Sequence, residues 1–194
     1  MAESRNAGAV ITAVRAGAEG AWEDFLAAYG RRLYGYFFRA TGSHHEAEDL
    51  LGEIMLRLVR KMGEYDDRGR FEPWLFRIAA NLVRDRIRRA RSRLAPMSLD
   101  SDDDEQVSLG ETVSGPAGSV DAGLLAGENH DALAEALEKL SERSRQMVLL
   151  RHFGDMSYSE IAEIYDCPVG TVLARVHRAL KTLRTALEAS DEHA

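Results

Sequence analysis

The side chains best suited to chemistry in this sequence are basic ones that fall on one face of a predicted helix. Residues 77–93 hold seven arginines and one acidic residue, Asp85. Polar side chains recur there at i, i+4, i+7, i+11 and i+14, which places them on one side of a helix: Arg77, Asn81, Arg84, Arg88 and Arg91. Guanidinium groups suit phosphate and guanine. A solvated helix face usually mixes charges of both signs, so the pattern favours a nucleic-acid-binding face over an ordinary surface.

A second basic helix is predicted to follow a sharp turn within residues 157–184. Ser157 and Glu160 have the spacing of a capping box, and Pro168 suits the first turn of a new helix. The new helix has an apolar stripe at Val172, Val176, Ala179, Leu180, Leu183 and Leu187, and an opposite side at Gly170, Ala174, His177, Arg178, Lys181 and Arg184. A helix pair that exposes a basic second helix is the form that enters the DNA major groove. A plain helical hairpin is the alternative.

Residues 45–62 predict an amphipathic helix whose outer side combines acidic and apolar groups. Its predicted buried stripe is Leu51, Ile54, Met55, Leu58 and Met62, and its outward side shows Asp49, Glu53, Leu56, Arg57 and Arg60. Two carboxylates beside an exposed leucine favour a protein-docking patch in which the acids select the partner. A generic surface helix explains the same pattern.

Aromatic residues lie among charged ones in the segment between these helices. Tyr65, Phe71 and Trp74 stand beside Asp66, Arg68 and Arg70. Aromatic rings next to a basic track are what single-stranded bases stack on. For Trp74, a place in the core is an equally good interpretation.

All the secondary structure predicted around these side chains is helical. Helical spacing recurs in residues 10–40, with a break near Gly17–Gly20, in 45–62, from Pro73 to Arg91, and in 131–153, where Ser141 is a second cap. We therefore predict an all-α protein of two small helical domains, residues 1–95 and 131–194, joined by a flexible linker at 96–130. The linker prediction rests on composition, because residues 98–135 hold ten acidic residues and no lysine or arginine.

The composition also limits the class of protein. The net charge of −7 argues against a general polyanion binder. The single cysteine, Cys167, allows no intrachain disulfide. We find no signal peptide and no apolar run of about 20 residues, so we expect a cytoplasmic protein without membrane insertion. His44, His45 and Glu46 do not share a helix face, and no metal, cofactor or catalytic site is predicted.

Two long segments carry a resemblance to a known family. The stretches AEDLLGEIMLRLVRKMGEYDDRGRFEPWLFRIAANLVRDRIRR and LEKLSERSRQMVLLRHFGDMSYSEIAEIYDCPVGTVLARVHRALKTLR resemble the second and fourth conserved regions of extracytoplasmic-function (ECF) sigma factors, in the sigma-70 family of bacterial RNA polymerase sigma factors. They cover about half of the chain in the family's order. The resemblance implies a protein that binds core polymerase, recognises promoter DNA and helps to melt it, and that is not an enzyme.

The resemblance also implies roles for individual residues. Asp49, Leu50, Glu53 and Leu56 would dock on the clamp helices of the polymerase β′ subunit. Tyr65, Asp66, Arg68, Arg70, Phe71 and Trp74 would take up a flipped base of the minus-ten element, and Arg77, Asn81, Arg84, Asp85 and Arg88 would follow the DNA there. Thr171, Ala174, Arg175, His177, Arg178 and Lys181 would contact the minus-thirty-five element. The acidic linker would pass through the polymerase, and an anti-sigma factor is a further possible partner.

Two positions depart from the family's usual pattern. Leu173 and Ala174 stand where a basic residue and a serine are common. Fewer polar groups there predict an altered or weak minus-thirty-five preference, with thymine methyl groups as candidate contacts of Ala174. Gly52 stands where a polar helix former is usual, and glycine costs about 1 kcal/mol inside a helix.

Two other functions are compatible with parts of the pattern. A free-standing helix-turn-helix regulator would bind a palindromic operator without polymerase. An antagonist that imitates a sigma factor would keep the docking helix but would not need the arginine face at residues 77–91.

Overall fold

The described residues of a computed structural model form α-helices and short turns, with no strand among them. The structure describes residues 2–66, 69–94 and 130–191. The helices are α1 (Ala2–Arg15), α2 (Ala21–Thr41), α3 (His44–Lys61), α4 (Phe71–Leu94), α5 (His130–Glu138), α6 (Glu142–Phe153), α7 (Tyr158–Tyr165) and α8 (Val169–Asp191), with a 3₁₀ turn at Met62–Glu64. The all-α prediction is confirmed.

The chain divides into two compact units, Met1–Val83 and Arg84–Ala194, so that the boundary falls within α4. The predicted linker at 96–130 lies almost wholly outside the described residues, and so does Arg68. No helix in the described part of the chain is long and apolar enough to span a membrane.

In the first unit, α2 and α3 pack against each other, and the residues between them, Gly42 and Ser43, favour a sharp turn. Gly42 ends α2 with a φ of 70°, a conformation that glycine adopts without strain. Ser43 then caps α3 by accepting a hydrogen bond from the Glu46 N–H. The core that follows includes Phe25, Leu33, Tyr36, Phe37, Ile54, Leu58, Leu75 and Phe76.

The predicted buried stripe of α3 is correct at Ile54, Leu58 and the following Met62, and differs at Leu51 and Met55. The buried positions are Ala47, Leu50, Ile54 and Leu58, whereas Leu51 and Met55 are half-buried. Leu50 is 0% exposed. The prediction that Leu50 contacts a partner is therefore wrong for this structure, since its side chain belongs to the core.

In the second unit, α5 to α8 pack around a common core. The predicted helix caps are present at Ser141 and Ser157. Ser141 accepts a hydrogen bond from the Ser144 N–H, which confirms the predicted helix cap. Ser157 and Glu160 form both halves of a capping box. The apolar side of α8 is buried at Val172, Val176, Ala179, Leu183 and Ala186, while Leu180 and Leu187 are half-buried.

Candidate nucleic-acid interface

The turn between α7 and α8 fixes where α8 begins. Asp166 ends α7 with a φ of 48°, and the Cys167 N–H donates to the carbonyl of Ala162 at 3.1 Å. Pro168 then accepts hydrogen bonds from the N–H groups of Thr171 and Val172 at 2.9 and 3.3 Å. A helix that restarts on a proline has its first donors free to face a ligand, because they lack helical acceptors.

The outward side of α8 carries most of the residues predicted to contact the minus-thirty-five element. His177, Arg178 and Lys181 are exposed, whereas Thr171 and Ala174 are half-buried. The Nε of Arg178 donates to the carbonyl of Ala174 at 3.3 Å. Gly170 is exposed, and a Cβ placed there would meet no atom within 4 Å. The first turn of α8 therefore has no side chain on its surface at Gly170, and the exposed cations Arg178 and Lys181 lie further along the helix.

Arg175 differs from the other predicted contacts on α8 because it is buried. It is 6% exposed, and its Nε has no hydrogen-bond partner. Its position beside the apolar stripe was expected from helical spacing. The missing partner could not be expected from the sequence.

Helix α6 braces the turn through residues that the sequence did not single out. Gln146 accepts a hydrogen bond from the Tyr165 hydroxyl, and Arg143 donates to the Tyr165 carbonyl at 3.0 Å. The Arg143 guanidinium also lies 5.5 Å from the centre of the Tyr165 ring. Burial raises the pKa of Tyr165 well above its usual value. The sequence has no signal for this network, because it depends on the burial of Gln146 and on its position opposite the Tyr165 hydroxyl.

The polar row of α4 is exposed at most of its predicted positions. Arg77, Asn81, Arg84 and Arg88 are exposed, and Leu75, Ile78, Ala79 and Leu82 on the other side are buried. Asp85 accepts a hydrogen bond from Arg88 at 3.0 Å. The side chain of Arg91 lies outside the described residues.

Arg84 has partners within the second unit. It donates to the carbonyl of Ile164 at 2.8 Å, and its guanidinium lies 5.3 Å from the centre of the Tyr165 ring. A contact between Arg84 and DNA therefore requires that this hydrogen bond open.

The aromatic side chains predicted to stack with bases pack against one another instead. Tyr65 and Phe71 are 6% and 5% exposed. Their ring centres are 5.3 Å apart, and Trp74, half-buried, lies 4.6 Å from Tyr65 and 5.5 Å from Phe71. Tyr65 and Phe71 are therefore not accessible for stacking in this conformation, and their role in binding a flipped base stays a prediction. Base binding would require the cluster to part, while Asp66 and Arg70 are exposed beside it.

The outer side of α3 keeps part of the predicted docking patch and adds one residue. Leu56 is 63% exposed, and Val59, which the sequence-based prediction missed, is 58% exposed one turn further on. The spacing of three residues from Leu56 was the signal for Val59. Glu53 forms an ion pair with Arg57 at 2.9 Å, and Asp49 lies 3.8 Å from the His45 ring nitrogen.

No cluster that could hold a metal ion occurs within residues 2–66, 69–94 and 130–191. The exposed side chains of those residues include many arginines, lysines and carboxylates, together with the apolar Leu56 and Val59. Such an arrangement can bind polyanions and protein surfaces.

Two family models match the chain, one in each half. Residues 25–93 match sigma-70 region 2, and residues 130–183 match sigma-70 region 4. The first match covers most of α2, all of α3 and α4 up to residue 93, and the second covers α5 to α7 and most of α8.

Whole-chain relatives agree with these matches. The chain is 30% identical to the ECF RNA polymerase sigma factor SigW of Bacillus subtilis over 179 residues, which cover 91% of this chain and 94% of SigW. It is 31% identical to the RNA polymerase sigma factor CarQ of Myxococcus xanthus, covering 89% and 92% of the two chains.

A solved structure supports the fold. The sigma factor RpoE of Bartonella quintana, solved in complex with the anti-sigma factor NepR, aligns with a TM-score of 0.61 at 24% identity, over 87% of this chain and 98% of that one. Together with the region matches and the full-length relatives, these findings show that the chain belongs to the ECF group of sigma-70 family RNA polymerase sigma factors.

Proposed function

We propose that this protein directs RNA polymerase to a particular set of promoters, and that its residues divide the work along the chain. Residues 1–95 bind the core enzyme and the minus-ten element, residues 131–194 bind the minus-thirty-five element, and residues 96–130 connect them. The observation that carries the proposal is the pair of exposed basic faces on α4 and α8, each within one sigma-70 region.

On α3, the proposed polymerase contact consists of Leu56 and Val59 with the carboxylates of Asp49 and Glu53. Two apolar side chains more than half exposed on adjacent turns suit the apolar centre of a protein interface. The flanking carboxylates favour a basic partner surface and steer its approach. We assign this surface to the clamp helices of the β′ subunit.

On α4, the exposed row proposed for the minus-ten element is Arg77, Asn81, Arg84 and Arg88. Phosphate contacts by the arginines supply affinity. Strand separation then needs only single-strand binding that offsets unstacking, at a few kcal/mol per extruded base. The Tyr65–Phe71–Trp74 cluster would open to accept that base.

The remaining assignments follow from the same role. The protein acts as a binding subunit in the cytoplasm, without metal or cofactor, and the polymerase supplies the catalysis. An anti-sigma factor is a candidate regulator, as the RpoE–NepR complex illustrates for another member of the family. The match to region 2 distinguishes this proposal from a free-standing regulator, which would not need a polymerase-docking helix.

Transcription in vitro tests the proposal. Purified protein, bacterial core polymerase and a library of promoter fragments should yield transcripts that require the protein. The variant Asp49→Arg plus Glu53→Arg should lose them. The matched control, Glu135→Arg plus Glu138→Arg, changes the charge equally at two exposed acids of α5 and should keep them. Footprints on duplex DNA without polymerase, and no transcripts, would instead indicate a free-standing regulator.

A further inference from the structure

The outward side of α3 has the residue spacing of a helix that pairs with another helix. Asp49, Gly52, Leu56 and Val59 recur at i, i+3, i+7 and i+10, and such an alternation of three and four residues forms one continuous seam. All four residues are exposed. Leu56 and Val59, at 63% and 58% exposed, are its apolar part. The seam therefore faces away from the core of the first unit.

The glycine in this seam has no explanation within the described part of the chain. Gly52 lies inside α3, where glycine is less favourable than other residues. Its φ is not positive, and a Cβ placed there would meet no atom within 4 Å. The remaining physical reason for a glycine is the close approach of another molecule. The open space at Gly52 can receive an apolar side chain from a facing helix.

Opposite charges lie at the two ends of the seam. Asp49 is at its start, and Arg60, eleven residues later, lies within about 20° of Asp49 around the helix axis. Arg60 is exposed, and no described residue forms a hydrogen bond or ion pair with it. A basic partner surface matches the acidic end alone. A second copy of α3 that runs in the opposite direction matches both ends, because each Asp49 then faces the Arg60 of the other copy.

We propose that free copies of this protein associate in pairs through antiparallel α3 helices, with Leu56 of each copy beside Gly52 of the other and Asp49 of each paired with Arg60 of the other. The same patch is used by both copies, as two-fold symmetry requires. The inference goes beyond the proposed function, because the pairing covers the surface assigned to polymerase while the protein is unbound. Two large apolar side chains per copy make a small interface, so the association is weak and reversible.

Sedimentation velocity of the full chain without polymerase measures this association. The wild type should pass from monomer to dimer as its concentration rises. Asp49→Arg and Arg60→Asp should each weaken dimerisation about ten-fold, since each places like charges at both ends of the interface. Lys61→Glu is the matched control, because Lys61 is an exposed cation next to Arg60 that lies outside the seam. It should dimerise as the wild type does.

Mixing the two charge variants tests the antiparallel register directly. In a heterodimer of Asp49→Arg with Arg60→Asp, both ends again carry opposite charges. An equal mixture of the two should therefore dimerise as the wild type does, although each alone does not. The double variant should likewise recover, because its charges are exchanged within one chain. Added core polymerase should reduce the dimer fraction of the wild type by the amount of complex formed.

Several outcomes would overturn the proposal. A wild type that stays monomeric at every concentration would do so, and so would an equal effect of Lys61→Glu and Arg60→Asp. A mixture of the charge variants that stays monomeric would exclude the antiparallel register. Dimers that persist in the complex with core polymerase would show that the pairing lies on another surface.

Failure of the proposed function is distinguishable from failure of this inference. Dimers with the expected response to charge exchange, but no promoter-specific transcripts with core polymerase, would overturn the proposed function and support the pairing through α3. Transcripts from a chain that never dimerises would overturn this inference alone.

Discussion

The hydroxyl of Tyr165 donates a hydrogen bond of 2.5 Å to the side-chain oxygen of Gln146, and this bond joins α7 to α6. Gln146 is 1% exposed and Tyr165 9% exposed. Since Tyr165 is the last residue of α7, the bond holds the point at which the chain turns towards α8. Helix α6 therefore fixes the turn that presents the basic face.

Loss of the Tyr165 hydroxyl should destabilise the protein because it leaves a buried amide oxygen without its donor. We expect Tyr165→Phe to lower the free energy of unfolding by about 1–3 kcal/mol, measured by urea denaturation. Adding Gln146→Leu should recover part of the loss, since replacing both partners by apolar groups removes the unsatisfied atom. If the double variant were no more stable than Tyr165→Phe, the unsatisfied Gln146 oxygen would not be the cause of the lost stability.

Buried tyrosines should make the protein less stable at alkaline pH. Burial raises the pKa of Tyr165, and burial followed by the nearby Glu72 carboxylate raises that of Tyr29. A folded pKa above the unfolded value means that the native state holds its proton more tightly. The stabilisation is therefore complete below about pH 10 and is lost as the pH rises above it. Denaturation midpoints should fall less steeply above pH 10 in Tyr165→Phe than in the wild type, and parallel curves would contradict this expectation.

The helices were predictable from the sequence because their signals are local. Ser157 and Glu160 form the capping box that their spacing predicted, and Ser43 and Ser141 each cap a helix start. Hydrophobic spacing placed α2, α3 and α8 correctly to within a few residues. The exposed row on α4 follows from the same periodicity.

The predictions of buried and exposed residues failed where packing between helices decides which of two neighbouring residues is buried. On α3, Leu50 and Leu51 are adjacent apolar residues, and helical spacing alone does not determine which of them faces α2. The cluster of Tyr65, Phe71 and Trp74 is likewise a tertiary arrangement, in which the rings bury one another. The missing partner of Arg175 is a property of three-dimensional contacts and has no signal in the sequence.

The two leucines of α3 should separate docking from stability. Leu50→Ala should lower the free energy of unfolding by about 2–5 kcal/mol, because it empties a fully buried site. Leu56→Ala should change stability by less than about 0.5 kcal/mol and should weaken binding to core polymerase by about 1–2 kcal/mol. Pull-down titrations and urea denaturation of the same samples measure both.

An exposed leucine elsewhere provides the control for Leu56. Leu26 on α2 is 44% exposed, and Leu26→Ala should leave polymerase binding unchanged. Equal loss of binding in Leu26→Ala and Leu56→Ala would show that the docking surface is not confined to α3.

The lack of hydrogen-bonding side chains at Gly170 and Ala174 of α8 should make minus-thirty-five recognition sensitive to thymine methyl groups. Gly170 and Ala174 bring no hydrogen-bonding side chain to that face, so apolar contact is the available means of base discrimination there. Replacing a contacted thymine by uracil in a selected promoter should weaken binding about four-fold, from about 0.8 kcal/mol for one buried methyl group. Ala174→Ser should be less sensitive to that replacement, because a hydroxyl group adds a polar contact and takes the place of the apolar one. The same replacement in the minus-ten element serves as the control and should affect wild type and Ala174→Ser equally. Equal uracil penalties for the two proteins in the minus-thirty-five element would mean that Ala174 makes no methyl contact, and base preference would then depend on His177 and Arg178.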